Sequence, residues 1–322
     1  MLCVPELSAT MQIMKKIIDP IDRQLIESEL TPERLLRYTN KGNNMIYIVD
    51  AHNAPYTMQE IGRLREIAFR DAGGGTGKSC DIDEYDTMTP ACQQLIVWNP
   101  DDREITGGYR FLLGENIKIS DAGIPRMATS HLFRFSERFV KEILPSTLEL
   151  GRSFVALPFQ SSKAGTKALY TLDNLWDGLG ALTVIYPQIR YLFGKFTMYP
   201  SYGEYCRDLL LGFIHRYFPD PDGLAHPIKE LLTNADSEEI QKLFTGDDFR
   251  EDYRRLNHAV RETGRNIPPL VNAYIGLSGT MRNFGTAINH EFGDVEETGI
   301  FFKISDIFDI KKERHIGTYK KP

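Results

Sequence analysis

Two side chains of opposite charge stand three positions apart in the otherwise apolar run LELGRSFV at residues 148–155: Glu149 and Arg152. A carboxylate in apolar surroundings has its pKa raised and can accept a proton at neutral pH. Strand side chains alternate faces, so a regular strand would send these two to opposite sides. Gly151 between them permits a bulge, which re-aims side chains and is common beside active sites. Glu149 and Arg152 are therefore candidate site residues. The same two residues could form a structural ion pair, which also shifts pKa values.

Further groups lie upstream. Residues 81–86 read Asp-Ile-Asp-Glu-Tyr-Asp, four carboxylates that repel one another unless cations compensate them. The run is either an exposed acidic turn or a carboxylate pair, Asp83 and Asp86, that meets arginines or holds an ammonium group. The Gly and Glu positions of a calcium loop are absent. Arg63, Arg65 and Arg70 fall in residues 58–70 (MQEIGRLREIAFR), and Arg110 lies toward the end of EITGGYRFLL at 104–113. Residues 72–79 (AGGGTGKS) fit a relaxed P-loop pattern. A P-loop needs a strand before it and a helix after it, so that backbone N–H groups face the phosphates. Here a helical segment precedes and acid follows, which predicts a flexible glycine-rich loop.

These groups need elements to place them. In residues 58–70, Ile61, Leu64, Ile67 and Ala68 share one face at helical spacing. Residues 45–49 (MIYIV) predict a short buried strand, and 93–98 with 104–113 predict a hairpin across the turn Asn-Pro-Asp-Asp. Gly107-Gly108 inside it predicts a bulge or a close approach by another backbone. Strand 148–155 is followed by helix 169–184, strand 191–199 and helix 202–218. The fold class is α/β (α+β) with a mixed sheet. Residues 12–40 read as helix interrupted at Pro20, with a helix start at Thr31-Pro32-Glu33. Residues 219–265 read as charged and helical, 268–277 as a short helix, 300–304 as a last strand and 311–322 as a frayed tail. The aromatic positions of residues 130–140 predict core.

The whole chain has 322 residues, 42% hydrophobic and 25% charged, the balance of an ordinary globular protein. A net charge of −6 argues against a general nucleic-acid binder. The four cysteines (Cys3, Cys80, Cys92, Cys206) lack CxxC spacing, which fits a reducing compartment. The seven histidines form no HxxxH pair, so no metal site is expected. The opening residues lack a continuous apolar signal segment, and no apolar run approaches a membrane span. A cytoplasmic location is expected.

The order DIDEYD, QLIVW, GGYRFLL, LELGRSFV, LDNLWDGLGAL, FGKFTMYPSY resembles the GNAT-fold N-acyltransferases of bacterial aminolipid synthesis, the ornithine- and glycine-lipid type often labelled hemolysin-like. A more distant similarity is to acyl-homoserine-lactone synthases. The likeness is strong over residues 45–205. It assigns Arg65 and Phe69 to an Arg-xxx-Phe segment, Asp83 and Asp86 to an acidic turn, Arg110 to a strand arginine, and Glu149 with Arg152 to a Glu-x-x-Arg strand. It implies a GNAT-like, mostly antiparallel central sheet flanked by helices. The core would span 45–218, between a helical extension at 1–44 and another at 219–322 whose final strand completes the sheet.

The resemblance implies amide formation: a (3-hydroxy)fatty acyl thioester reacting with the α-amine of glycine or ornithine. A free α-amine has a pKa of about 8, so a base must take its proton. Glu149 is the candidate. Backbone N–H groups around Phe154, Val155 and Ala156 would stabilise the oxyanion. Arg65, Arg110 and Arg152 with Asp83 and Asp86 would form a charged network that orders the N-terminal segment and grips the acceptor's carboxylate through an arginine fork. Trp176 would pack its helix on the sheet or touch the acyl chain. Ordinary acetyltransferases carry a Gln/Arg-x-x-Gly-x-Gly/Ala turn for the pyrophosphate of coenzyme A. Residues 160–167 (QSSKAGTK) lack that spacing, which favours acyl carrier protein as donor and partner, although Lys163, Lys167 and the helix start could still bind a phosphate. The lipid product implies loose association with a membrane surface. Competing classes are a membrane-damaging protein, a synthase making an acyl-lactone signal, and a non-catalytic acyl carrier protein binding module.

Overall fold

The computed structural model describes residues 14–160 and 166–321. In chain order it holds α1 (Arg23–Glu29), β1 (Leu35–Tyr38), β2 (Met45–Val49), α2 (Pro55–Ala72), the single-turn α3 (Glu84–Thr87), β3 (Gln93–Asn99), β4 (Glu104–Leu113), β5 (Phe133–Phe135) and β6 (Thr147–Val155). Then follow α4 (Thr166–Ile185), β7 (Tyr191–Met198), α5 (Glu204–Tyr217), β8 (Ala225–Pro227), α6 (Glu238–Leu243), α7 (Phe249–Glu262), α8 (Pro269–Ile275), β9 (Arg282–Asn289), β10 (Val295–Lys303) and α9 (Asp309–His315).

Eight strands form one sheet in the order β1-β2-β3-β4-β6-β7-β10-β9, and β5 pairs with β8 in a separate ribbon. Every pair in the large sheet is antiparallel except β6 with β7, which is parallel. The expected mixed, mostly antiparallel sheet flanked by helices is what the chain forms. Leu175, Leu179 and Leu182 of α4, at i, i+4 and i+7, are fully buried in the cluster that holds Leu95, Phe111 and Leu150 of the sheet. On the other face, Ile61, Ala68 and Phe69 of α2 share a cluster with Ile96, Trp98 and Phe154. Beside them Phe139, Phe193, Phe284 and Phe301 build an aromatic core.

Helix α2 starts at Pro55, whose fixed φ suits the first turn, and stops at Gly73, whose φ of 97° takes the left-handed conformation that ends a helix. Midway, a Cβ on Gly62 would lie 2.5 Å from Cys80 Sγ. Glycine there lets the segment carrying Asp81 pack directly on the helix.

The parallel pairing of β6 with β7 ends at Glu149 opposite Phe193. Beyond it β6 stays with β4 while β7 stays with β10, and the two strands part. The bulge expected near Gly151 is present. Gly151 pairs with Arg110 and Phe154 with Gly108, so Arg152 and Ser153 together face Tyr109, and Arg152 takes a φ of 48°. The Gly107-Gly108 pair also behaves as expected: β3 and β4 slip register there, and a Cβ on Gly107 would lie 2.7 Å from the Phe154 carbonyl oxygen.

Three expectations change. The helix expected over 12–40 is confined among the described residues to α1 and a short turn at Pro32–Arg34, and Leu35–Tyr38 is an edge strand on β2. The last part is not purely helical, because β8, β9 and β10 lie in it and β9 closes the sheet. The tail does not simply fray. Its helix α9 docks on α4, with buried His315 Nδ1 2.8 Å from Asp177 Oδ1 and a Cβ on Gly180 landing 2.3 Å from the His315 carbonyl oxygen.

Candidate active site

Two cavities meet where β6 and β7 part. A polar cavity of about 690 Å³ is lined by Asp83, Arg110, Thr129, Glu149, Arg152 and Lys195, with Thr76 and Lys78 among its other walls. An apolar cavity of about 1040 Å³ runs from Phe69 through the gap to Trp176 on α4 and Leu270 and Tyr274 on α8. The residues common to both linings are Leu150, Gly151, Arg152, Lys195 and Phe292. A polar and an apolar reactant entering from either side would meet at those residues.

Glu149 is 6% exposed and accepts a hydrogen bond from Thr129 Oγ1 at 3.0 Å. Burial pushes its carboxyl above the ordinary carboxylate range, and the charges of Arg110 and Lys195 with the Thr129 hydrogen bonds pull only part of the way back. The bulge turns Arg152 toward this same cavity. Its Nε lies 3.0 Å from Asp81 Oδ2, its Nη2 3.6 Å from Asp83 Oδ2, and its guanidinium sits 4.5 Å from the centroid of the Phe292 ring. Arg152 is thus the companion of Asp81 and Asp83, not the ion-pair partner of Glu149.

The acidic run folds as a reciprocal helix cap. The Asp83 side chain accepts from the Tyr85 and Asp86 amides, and Asp86 Oδ2 accepts from the Asp83 amide at 3.1 Å. Arg110 Nη1 donates to both Asp83 oxygens at 2.7 Å and lies 3.3 Å from Asp86. Arg65, fully buried on α2, reaches Asp86 at 3.4 Å and donates to Gln94, which in turn donates to Asp86 at 2.9 Å. Burial works against the Asp83 carboxylate, yet Arg110, Arg152 and Arg65 hold it well below its usual range. Burial also opposes the Arg110 charge, and Asp86 and Asp83 overcome it. Three guanidiniums therefore face three carboxylates, Asp81 included.

The glycine-rich loop is not a phosphate cradle. The Gly77 amide donates to Glu66 at 2.8 Å and the Thr76 hydroxyl at 2.7 Å, so a buried carboxylate already occupies the place an anion would take. The loop instead carries Thr76 and Lys78 to the rim of the polar cavity, and Lys15 and Ile18 hydrogen-bond across it. Cys92 lines the same cavity, but burial pushes its thiol up to about 12, so it carries almost no thiolate at neutral pH.

Residues 64–169 match the Acetyltransferase (GNAT) domain family. A Glycine N(alpha)-acyltransferase of Bacteroides thetaiotaomicron is 58% identical over 95% of this chain and 91% of its own. A second protein of that name, from Phocaeicola vulgatus, is 55% identical over 96% of this chain and 94% of its own. The chain belongs to the GNAT-fold N-acyltransferases. Among solved structures, the AHL synthase LasI matches this acyltransferase with a TM-score of 0.38 at 12% identity, over 88% of this chain and 100% of that one.

The acyltransferase brings together most of the residues singled out from sequence, with some redistributed. Arg110, Asp83, Glu149 and Arg152 line the polar cavity. Arg65 and Asp86, both fully buried, line neither cavity and support Arg110 and Asp83 from behind. Phe69 lines the apolar cavity, edge-on to Phe292, and not the polar one. Phe154, Val155 and Trp176 line that cavity too, and Trp176 also packs edge-on against Tyr274. The Ala156 amide is already spent on the Thr106 carbonyl at 2.8 Å and is no oxyanion donor. Among the described residues, Arg70 and not the three-arginine network bonds the N-terminal segment, by donating to the Lys15 carbonyl at 2.8 Å. Lys163 lies outside the described residues, as does the side chain of Lys167.

Sequence reasoning missed Asp81, Gln94, Thr129, Lys195 and Glu297 as site residues. Asp81 stood in the acidic run beside the two that were chosen. Lys195 was visible as a single charge within the apolar strand YLFGKFTMY. It pairs with buried Glu297, which Asn289 also bonds at 3.0 Å.

Proposed function

We propose that the enzyme transfers a (3-hydroxy)fatty acyl group from an acyl carrier protein thioester to the α-amine of glycine, a step of aminolipid synthesis. The observation that carries this reading is the meeting of a polar and a large apolar cavity at the parted strands. Both curated relatives carry glycine in their names, and this favours it over ornithine. The acyl chain would lie among Phe69, Phe154, Trp176 and Leu270, and the amino acid would enter past Lys78 and Arg110. The amine attacks the thioester carbon directly, since the cavity's thiol is held protonated. Glu149 takes the proton. Val155 lies on the side where β6 has lost its neighbour, and its carbonyl accepts from Gln160 Nε2 at 2.6 Å instead of from a strand. Its amide points the same way and is the backbone donor for the oxyanion. Arg110 spends Nη1 on Asp83 and Asp86, so it meets the acceptor's carboxylate as part of a cationic wall with Arg152 and Lys78, not as an open fork.

The missing pyrophosphate turn supports the carrier protein as donor, and the apolar tail of the product supports loose association with a membrane surface. No helix among the described residues is long and apolar enough to cross a membrane. The test is mass spectrometry of lipids from a host making 3-hydroxyacyl donors, with the wild type and with Glu149→Ala. N-acylglycine in the wild type alone is expected. Its formation in both would remove Glu149 as base, and its absence in both, with folded protein, would overturn the reading. Long-chain acyl-coenzyme A outcompeting acyl carrier protein in vitro would overturn the donor.

A further inference from the structure

We propose that Lys195 is a catalytic residue whose ammonium donates a hydrogen bond to the thioester carbonyl oxygen as it becomes an oxyanion. This rests on the acyltransfer reading above and adds a side-chain donor to it. The reacting carbon must lie where the two cavities meet, because its chain occupies one and its attacker the other. Five residues line both, and two of them are charged, Arg152 and Lys195. Arg152 is drawn back toward Asp81 and Asp83 and packs on Phe292. Lys195 is different. An ammonium has three N–H donors, and the described residues give it one acceptor partner, Glu297. The remaining donors sit on a side chain 13% exposed, at the opening itself.

The register places it correctly. Glu149 is opposite Phe193 on the neighbouring strand, and Lys195 is two residues beyond Phe193, so it projects from the same face of the sheet as Glu149. The proposed base and the ammonium therefore flank the gap from its two sides. Glu297 favours the charged form of the ammonium, against burial and the neighbouring charges of Arg152 and Arg110. Burial lowers the lysine's pKa, and the carboxylate opposes that loss. Glu297 is itself held by Asn289 at 3.0 Å and Thr197 at 3.3 Å, which fixes the pair against the gap.

The step balances. The amine nitrogen forms a bond to the thioester carbon, and the C=O pair moves onto oxygen, where Lys195 donates. Glu149 removes a proton from nitrogen. The oxyanion then collapses, the C–S bond breaks, and the thiolate takes the proton held by Glu149.

The experiment uses purified full-length wild type, Lys195→Met and Lys195→Arg, with glycine and a long-chain acyl-pantetheine thioester, the part shared by both candidate donors. Lys195→Met should lower kcat about 10²- to 10³-fold, the loss that follows removal of one oxyanion donor, with the KM for glycine within a few-fold of wild type. Lys195→Arg should recover kcat to within about tenfold of wild type, because a guanidinium still donates but cannot accept a proton. Lys195→Met retaining kcat within a few-fold would overturn the proposal. So would a folded Lys195→Arg as slow as Lys195→Met, the result expected of a proton acceptor. Should the buried Glu297 charge unfold Lys195→Met, the double variant Lys195→Met/Glu297→Met removes the pair together and must show the same loss. A wild type that acylates no amine would instead overturn the acyltransfer reading, and this proposal with it.

Discussion

Glu149 shows how one residue's environment sets both activity and stability. Its carboxyl is buried with one hydroxyl partner, and burial raises its pKa above 4.5. As the proposed base it must be ionised, so kcat/KM should fall as pH drops through that raised value. Glu149→Gln should lose about 10²- to 10⁴-fold in kcat and lose that acid limb, which pH-rate profiles would read. The stability effect has the opposite sign. A group whose folded pKa is raised stabilises the fold below its unfolded pKa, near 4.5, and loses that contribution as pH rises through the folded value. Ionised Glu149 is thus a burden to the fold at neutral pH. Glu149→Gln should gain in Tm relative to wild type as pH rises from 4 to 7.5. A gap that narrowed instead would mean the carboxylate is better solvated than its burial implies.

At the scale of elements, α2 and α3 hold the polar cavity's wall through Arg65. Arg65 and Asp86 are both fully buried, so removing one partner strands the other's charge. Arg65→Met should cost about 3–5 kcal/mol of unfolding free energy, measured by urea denaturation, and the joint removal of both charges should cost much less. Equal losses would show that Gln94 and Arg110, not Arg65, carry Asp86. The helix and the acidic turn were legible in sequence because both signals are local. A 3.6-residue apolar stripe marks α2, and a Gly beside a charge marks the bulge in β6. The strands β2, β3, β4 and β7 were legible as apolar runs between turn residues. By contrast, β1 is four residues long, Leu35–Tyr38, and its apolar pair fits a helical stripe equally well; only pairing with β2 makes it a strand. Glu297 was hidden for the same reason. Its meaning depends on the register that sets β10 against β7, a contact between segments far apart in the chain.

For the whole molecule, the decisive property is that a polar and an apolar cavity share part of their lining where β6 and β7 part. The polar one is walled by α3, the glycine-rich loop and the turn before β10, and the apolar one reaches from α2 through the gap to α4 and α8. On the proposed reading, an acyl chain lying toward α4 and α8 leaves Arg110, Lys78 and Thr129 of the polar cavity to the acceptor, so both substrates would be bound together. Among the described residues no cysteine lines both cavities, and the Cys92 thiol in the polar one is pushed up to about 12 by burial. On the proposed function, a ternary complex with direct transfer is the expected mechanism. Initial rates measured against both substrates should give intersecting double-reciprocal lines. Acyl groups should not exchange from acyl-pantetheine onto free pantetheine when glycine is withheld. Parallel lines, or exchange without glycine at rates near kcat, would require a covalent acyl-enzyme. The search for its nucleophile would then begin at the residues common to both cavities, where Lys195 stands.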